Sequence, residues 1–106
     1  MQENAVESPI SKQKYRLVQR DLKEIEKISP FEEIILNTLK NLSKYNVPQK
    51  IHWRVYLDLA DIAKRESKFE EARTFFKLVV STQPFAYQGW LEYSKMEEEC
   101  GNQEVS

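Results

Sequence analysis

Displaced by 34 residues, the sequence falls on itself. Tyr56 lies over Trp90, Leu57 over Leu91, Asp58 over Glu92, Leu59 over Tyr93, Ile62 over Met96 and Ser67 over Gly101. A looser copy appears at a displacement of 38, where Ser29, Phe31, Glu32 and Glu33 lie over Ser67, Phe69, Glu70 and Glu71. Self-similarity at such a period is the mark of a repeat array, in which each unit buries its apolar face only by stacking on a neighbour.

The apolar spacing within each copy is helical. Tyr15, Val18, Leu22 and Ile25 recur at three- and four-residue steps with Lys, Arg, Gln and Asp between them, which predicts a first helix from Ser11 to Ile28. Ser29-Pro30-Phe31-Glu32 has the spacing of a capping box, and a second helix is expected through Ile34, Ile35, Leu39 and Leu42 to Tyr45. Pro48 opens a third helix. Ser67-Lys68-Phe69-Glu70 repeats the box and starts a fourth, which Pro84 ends. A fifth helix carries Trp90, Leu91, Tyr93 and Met96, with Gly101 placed as its left-handed stop. The expected fold is all-α, a right-handed superhelical array of antiparallel hairpins. A flexible tail at 1–10 precedes hairpins at about 11–45 and 48–84 and an incomplete one at 85–106. The last copy reaches Ser106, opposite Ala72, without a second helix. A fragment of a longer array, or an array end completed by a partner, is therefore expected.

Several functions are excluded early. Two glycines among 106 residues leave little room for hairpin turns or phosphate-cradling loops. One Cys and one His cannot make a disulfide or a structural zinc site. No apolar run approaches the roughly 20 residues of a membrane helix, and the acidic start lacks the features of a signal peptide. A net charge of −1 argues against a direct nucleic-acid binder.

Tyr56, Leu59, Ala72, Phe76 and Pro84 stand at the spacing of the tetratricopeptide signature, and the chain resembles that family. It is more similar to the half-a-tetratricopeptide (HAT) variant in Trp90-Leu91-Glu92-Tyr93, Glu97, Gly101-Asn102, the Ala72-Arg73 pair, and a proline six residues before a tryptophan (Pro84 to Trp90). The likeness covers residues 53–102. Tyr56 stands where that pattern has its first tryptophan, Ala63 where it has an acid, and Ser67 where it has a glycine. The resemblance implies a scaffold of a nuclear RNA-processing assembly, with dimerisation through the repeats known in several members.

Little in the chain suggests catalysis. Glu32-Glu33 and Glu70-Glu71 belong in first helical turns, where negative charge complements the macrodipole. Asp58 and Asp61 share a helix face without the further oxygen ligands that a cation needs. His52 and Cys100 lack a triad's third member, and the glutamates before Cys100 would raise its pKa. Trp53-Arg54 interleaves a base with aromatics and is a candidate partner-binding element. Arg16 and Arg20 join it as candidates, since Lys12, Lys14, Arg16, Arg20, Lys23 and Lys27 crowd the first helix. Residues 1–55 hold ten bases and seven acids (+3), and 56–106 hold six and ten (−4). That asymmetry suggests electrostatic partner selection or head-to-tail contact.

The expected function is a non-catalytic protein–protein interaction scaffold in a nuclear RNA-processing or RNA-surveillance complex, without cofactor or metal. Protein partners or a second copy are expected, and RNA only indirectly. A signalling or kinase-associated adaptor in the cytoplasm, and a direct RNA-binding repeat, are the alternatives.

Overall fold

The computed structural model describes residues 9–85 and 87–105, with side chains to Glu99. The described residues form helices joined by short connections: α1 (Pro9–Glu26), α2 (Phe31–Lys44), a 3-10 turn (Gln49–Ile51), α3 (His52–Arg65), α4 (Phe69–Thr82) and α5 (Tyr87–Val105). Two compact units divide inside α3, between Val55 and Tyr56. Of the expected tail at 1–10, residues 1–8 lie outside the described residues, and Pro9 and Ile10 open α1.

In the first unit α1 packs against α2. Val18 and Leu22 of α1 are buried, as are Phe31, Ile34 and Leu42 of α2 and Val47, Ile51 and Val55 beyond it. Burial of such side chains is worth about 1.5–3 kcal/mol each. A polar cluster fastens the same two helices. Tyr45 donates its hydroxyl to Asp21 Oδ2 at 2.5 Å, and Asn41 Nδ2 donates to the same oxygen at 3.4 Å. The Tyr45 hydrogen bond, then the Arg20 guanidinium, hold the Asp21 carboxyl below its usual range.

In the second unit Leu59, Ala60, Ile62 and Ala63 of α3, Ala72, Phe75, Phe76 and Val79 of α4, and Met96 of α5 are buried. Tyr56 stacks on Phe75 with ring centroids 6.4 Å apart.

The expected capping boxes do not form. The residues before α2 and α4 are Pro30 and Lys68, neither giving a side-chain cap hydrogen bond. Each helix begins one residue later than the box requires, so the serines stand outside the cap position. Ser67 instead ends α3: its φ is 61°, and Lys68 N donates to Ala63 O at 2.8 Å while Ser67 N donates to Lys64 O at 3.0 Å. Asn46, with φ 54°, ends α2 in the same way, through Val47 N to Leu42 O at 2.9 Å. These are left-handed C-terminal closures in which glycine is the usual residue. Gly101 is not one of them. α5 runs through it to Val105, and no glycine has positive φ among the described residues. A lone helical glycine costs about 1 kcal/mol, which the good helix formers Glu97 to Glu99, Gln103 and Glu104 tolerate.

Ser67→Gly removes the side chain from a left-handed residue, and should raise stability by about 1 kcal/mol in urea denaturation. Tyr45→Phe should lower stability at neutral pH by about 1 kcal/mol. Because the bond favours ionised Asp21, its contribution is present above the unfolded pKa of about 3.9 and lost as pH falls through the lower folded value. Denaturation curves of Tyr45→Phe and the wild-type protein should therefore begin to approach one another as pH falls below about 4 and meet once it is below the lowered folded value of Asp21.

Candidate interaction surfaces

The residues expected to carry the repeat signature meet in the second unit, where they tie α4 to α5. Arg73 Nε donates to Glu97 Oε2 at 2.6 Å and its Nη2 to Glu97 Oε1 at 3.3 Å, a two-pronged pair; Nη1 also reaches Glu70 at 3.2 Å. Phe76 and Tyr93 stack nearly parallel, 5.7 Å between centroids and 7° between planes. Trp90 Nε1 donates to the Pro84 carbonyl at 2.8 Å, so this pair six residues apart closes the α4–α5 connection. Ala72 and Leu59 are fully buried, and Tyr56 takes the stacking place on Phe75.

One residue of this joint escaped sequence reasoning. A Cβ built on Gly89 would lie 2.5 Å from Val79 Cγ1. Gly89 thus leaves no room for a Cβ against Val79 of α4, a β-branched side chain that has little rotamer freedom in a helix. An isolated glycine inside a helix was the signal available, because such a residue usually answers to packing.

The joint leaves large apolar groups facing solvent. Phe85 is 92% exposed and Tyr87 75%, and Trp90, Leu91 and Leu78 are each two-fifths exposed or more. Trp90 is therefore only partly used in packing, contrary to the core position the repeat register gives it. An open cavity of about 510 Å³ lies along Trp90, Tyr93, Ser94, Glu97 and Glu98. A second, of about 290 Å³, has Leu57, Phe76 and Gln88 together with Asp58, Asp61 and Glu92. Two of those carboxylates already have bases: Asp61 accepts from Arg65 Nε at 3.1 Å, and Glu92 is 3.8 Å from Lys64.

In the first unit the four candidate binding residues separate into two groups. Trp53 and Arg54 are half-buried; the Arg54 guanidinium stands 5.3 Å from the Trp53 ring centre and 5.6 Å from that of Tyr15. Such stacking is worth about 0.5–2 kcal/mol and marks these residues as partly structural. Arg16 and Arg20 are exposed on α1, and Arg20 pairs with the adjacent Asp21 at 3.3 Å. His52 Nε2 donates to the Val47 carbonyl at 2.9 Å, a helix-start contact. The Cys100 side chain lies outside the described residues. Among the described residues no group of three His, Cys, Asp or Glu could hold a metal, and no helix is long and apolar enough to cross a membrane.

Residues 46–106, which contain the whole α4–α5 joint, match the family described as PRP6, TPR-like domain. A TPR-containing protein of Dictyostelium discoideum is 48% identical over 101 residues, covering 93% of this chain. The chain spans 7% of that relative's length. No solved structure matches the chain.

Gly89→Ala gains about 1 kcal/mol of helix propensity but overpacks the joint at a cost of about 1–3 kcal/mol, and the net effect should be a loss of up to about 2 kcal/mol in urea denaturation. Val79→Ala introduced beside it should recover part of that loss, as a double-mutant cycle would show by strong non-additivity.

Proposed function

Because the chain belongs to the PRP6 TPR-like domain family, we propose that it works as a protein–protein interaction scaffold within a nuclear RNA-processing or RNA-surveillance assembly. TPR-like domains mediate protein–protein interaction. The observation that carries the reading is the exposure of the apolar side chains Phe85, Tyr87, Trp90 and Leu91. The fold has fixed its own joint with Arg73–Glu97, Phe76–Tyr93 and Gly89, so these groups are left over for a partner. Contiguous exposed apolar groups rimmed by charge are typical of docking surfaces.

The reading is non-catalytic. Glu32-Glu33 and Glu70-Glu71 lie in the first turns of α2 and α4, where they complement the helix dipoles. The nuclear RNA-processing setting is supported by the HAT resemblance of residues 53–102.

Affinity capture from whole-cell extract, with and without RNase, tests this reading. The expected result is RNase-resistant recovery of RNA-processing or RNA-decay proteins, reduced about tenfold by Phe85→Ser/Leu91→Ser. Recovery of kinases, phosphatases or chaperones alone would overturn the nuclear assignment in favour of a signalling adaptor. Loss of all partners with RNase would replace it by direct RNA binding.

A further inference from the structure

Lys12, Arg16, Arg20 and Lys23 recur along α1, and Lys27 continues the series in the turn beyond it. All five are exposed. At 3.6 residues per turn they fall within about 80° of arc, and steps of four residues place successive bases about 6 Å apart. The buried residues Ser11, Val18 and Leu22 occupy another face of the helix. Lys12, Arg16 and Lys23 have no ion-pair partner among the described residues; Arg20 shares Asp21 with Tyr45 and Asn41. The first turn of α1 contains no acid, and Lys12 stands near the positive end of the helix dipole. An open depression of about 390 Å³ lies between Pro9, Lys12, Gln13 and Arg16.

We propose that this outer face of α1 is a docking ridge for an acidic helical segment of a partner protein, with carboxylates at four-residue spacing that match its bases. The proposal rests on the interaction-scaffold reading and gives that partner its chemistry. Carboxylates four residues apart on a helix share the same 6 Å repeat (about one turn), and arginine's fork donates to a carboxylate through two parallel hydrogen bonds. A short acidic segment feels only the local ridge, because charges beyond about 8 Å are screened at physiological salt. A long polyanion binds through many phosphate contacts, and the chain as a whole carries a net charge of −1. Single-stranded RNA further needs aromatic faces for its bases. In the first unit Tyr15 and Trp53 flank Arg54, and the most exposed aromatics, Phe85 and Tyr87, belong to the other unit.

The test uses the purified chain and three labelled probes in fluorescence anisotropy at about 0.15 M salt. One is an alanine-based peptide with glutamate at every fourth position. The second is its isomer with the glutamates consecutive, and the third is oligouridine RNA. The spaced peptide should bind about tenfold more tightly than its isomer. Arg16→Glu/Arg20→Glu should abolish that binding, and Arg16→Lys/Arg20→Lys should keep part of it, with unchanged circular dichroism. Lys12→Ala/Arg16→Ala should weaken it as well and serves if the reversed pair unfolds. Equal binding of the two peptides, indifference to these variants, or tighter binding of oligouridine would overturn the proposal. So would concentration-dependent self-association abolished by Arg16→Glu/Arg20→Glu, which would give the ridge to a second copy. An Arg16→Glu/Arg20→Glu bait in the extract experiment separates the two readings. RNase-resistant partners recovered when peptide binding fails would leave the scaffold standing without the ridge.

Discussion

The approach of α5 to α4 at Gly89 is the constraint on which the second unit depends. With Val79 Cγ1 where a Cβ would stand, the two helices meet at a distance that only glycine permits. That approach brings the Phe76 and Tyr93 rings into parallel contact and lets Arg73 reach both Glu97 oxygens. The magnitudes rank these contributions. Burying Phe76 is worth about 1.5–3 kcal/mol and the ring pair about 0.5–1.5 kcal/mol more. The Arg73–Glu97 pair, about a third exposed on each side, adds at most about 1 kcal/mol. The ion pair therefore fixes register along the joint more than it holds the joint together.

The first unit solves the equivalent problem with polar groups. Asp21 is only partly exposed, and its charge is compensated by Tyr45, Asn41 and Arg20. Tyr45 and Asn41 sit at the end of α2, where Asn46 turns the chain left-handed toward Val47 and the 3-10 turn. The cost on this side is the Thr38 hydroxyl, fully buried without a hydrogen-bond partner among the described residues. A buried group of that kind is offset by the methyl that accompanies it and by the apolar residues around it.

The architecture was legible because packing repeats. The displacement by 34 residues aligned Tyr56 with Trp90 and Leu59 with Tyr93, and the proline-to-tryptophan spacing is the Trp90–Pro84 hydrogen bond seen in three dimensions. The four-residue pattern at Ser29 and at Ser67 fits a helix start but equally fits a helix end followed by a new helix. For Ser67 the decisive fact, a left-handed φ, depends on Lys68 N reaching Ala63 O rather than on the identity of the serine. Gly101 shows the converse: a glycine at the stop position does not stop a helix whose neighbours favour continuing it. Gly89 shows in the sequence only as an isolated glycine in a helix, because the side chain that demands it, Val79, lies ten residues earlier on another helix.

Signature residues in a repeat are chosen by their neighbours inside the repeat, so they report little about partners. Arg73, Phe76, Tyr93 and Glu97 are all committed to the α4–α5 joint, and Trp53 with Arg54 is half committed to Tyr15. Recognition falls to the residues that the fold leaves unused. In the second unit these include the apolar Phe85, Tyr87 and Leu91; in the first they include the bases Lys12, Arg16 and Lys23 as well as the exposed Ile28 and Leu36. An apolar edge supplies affinity through desolvation but discriminates poorly, whereas a charged ridge contributes specificity and association rate more than affinity. A scaffold that carries both kinds of surface on separate units can hold one partner by burial and select another by charge.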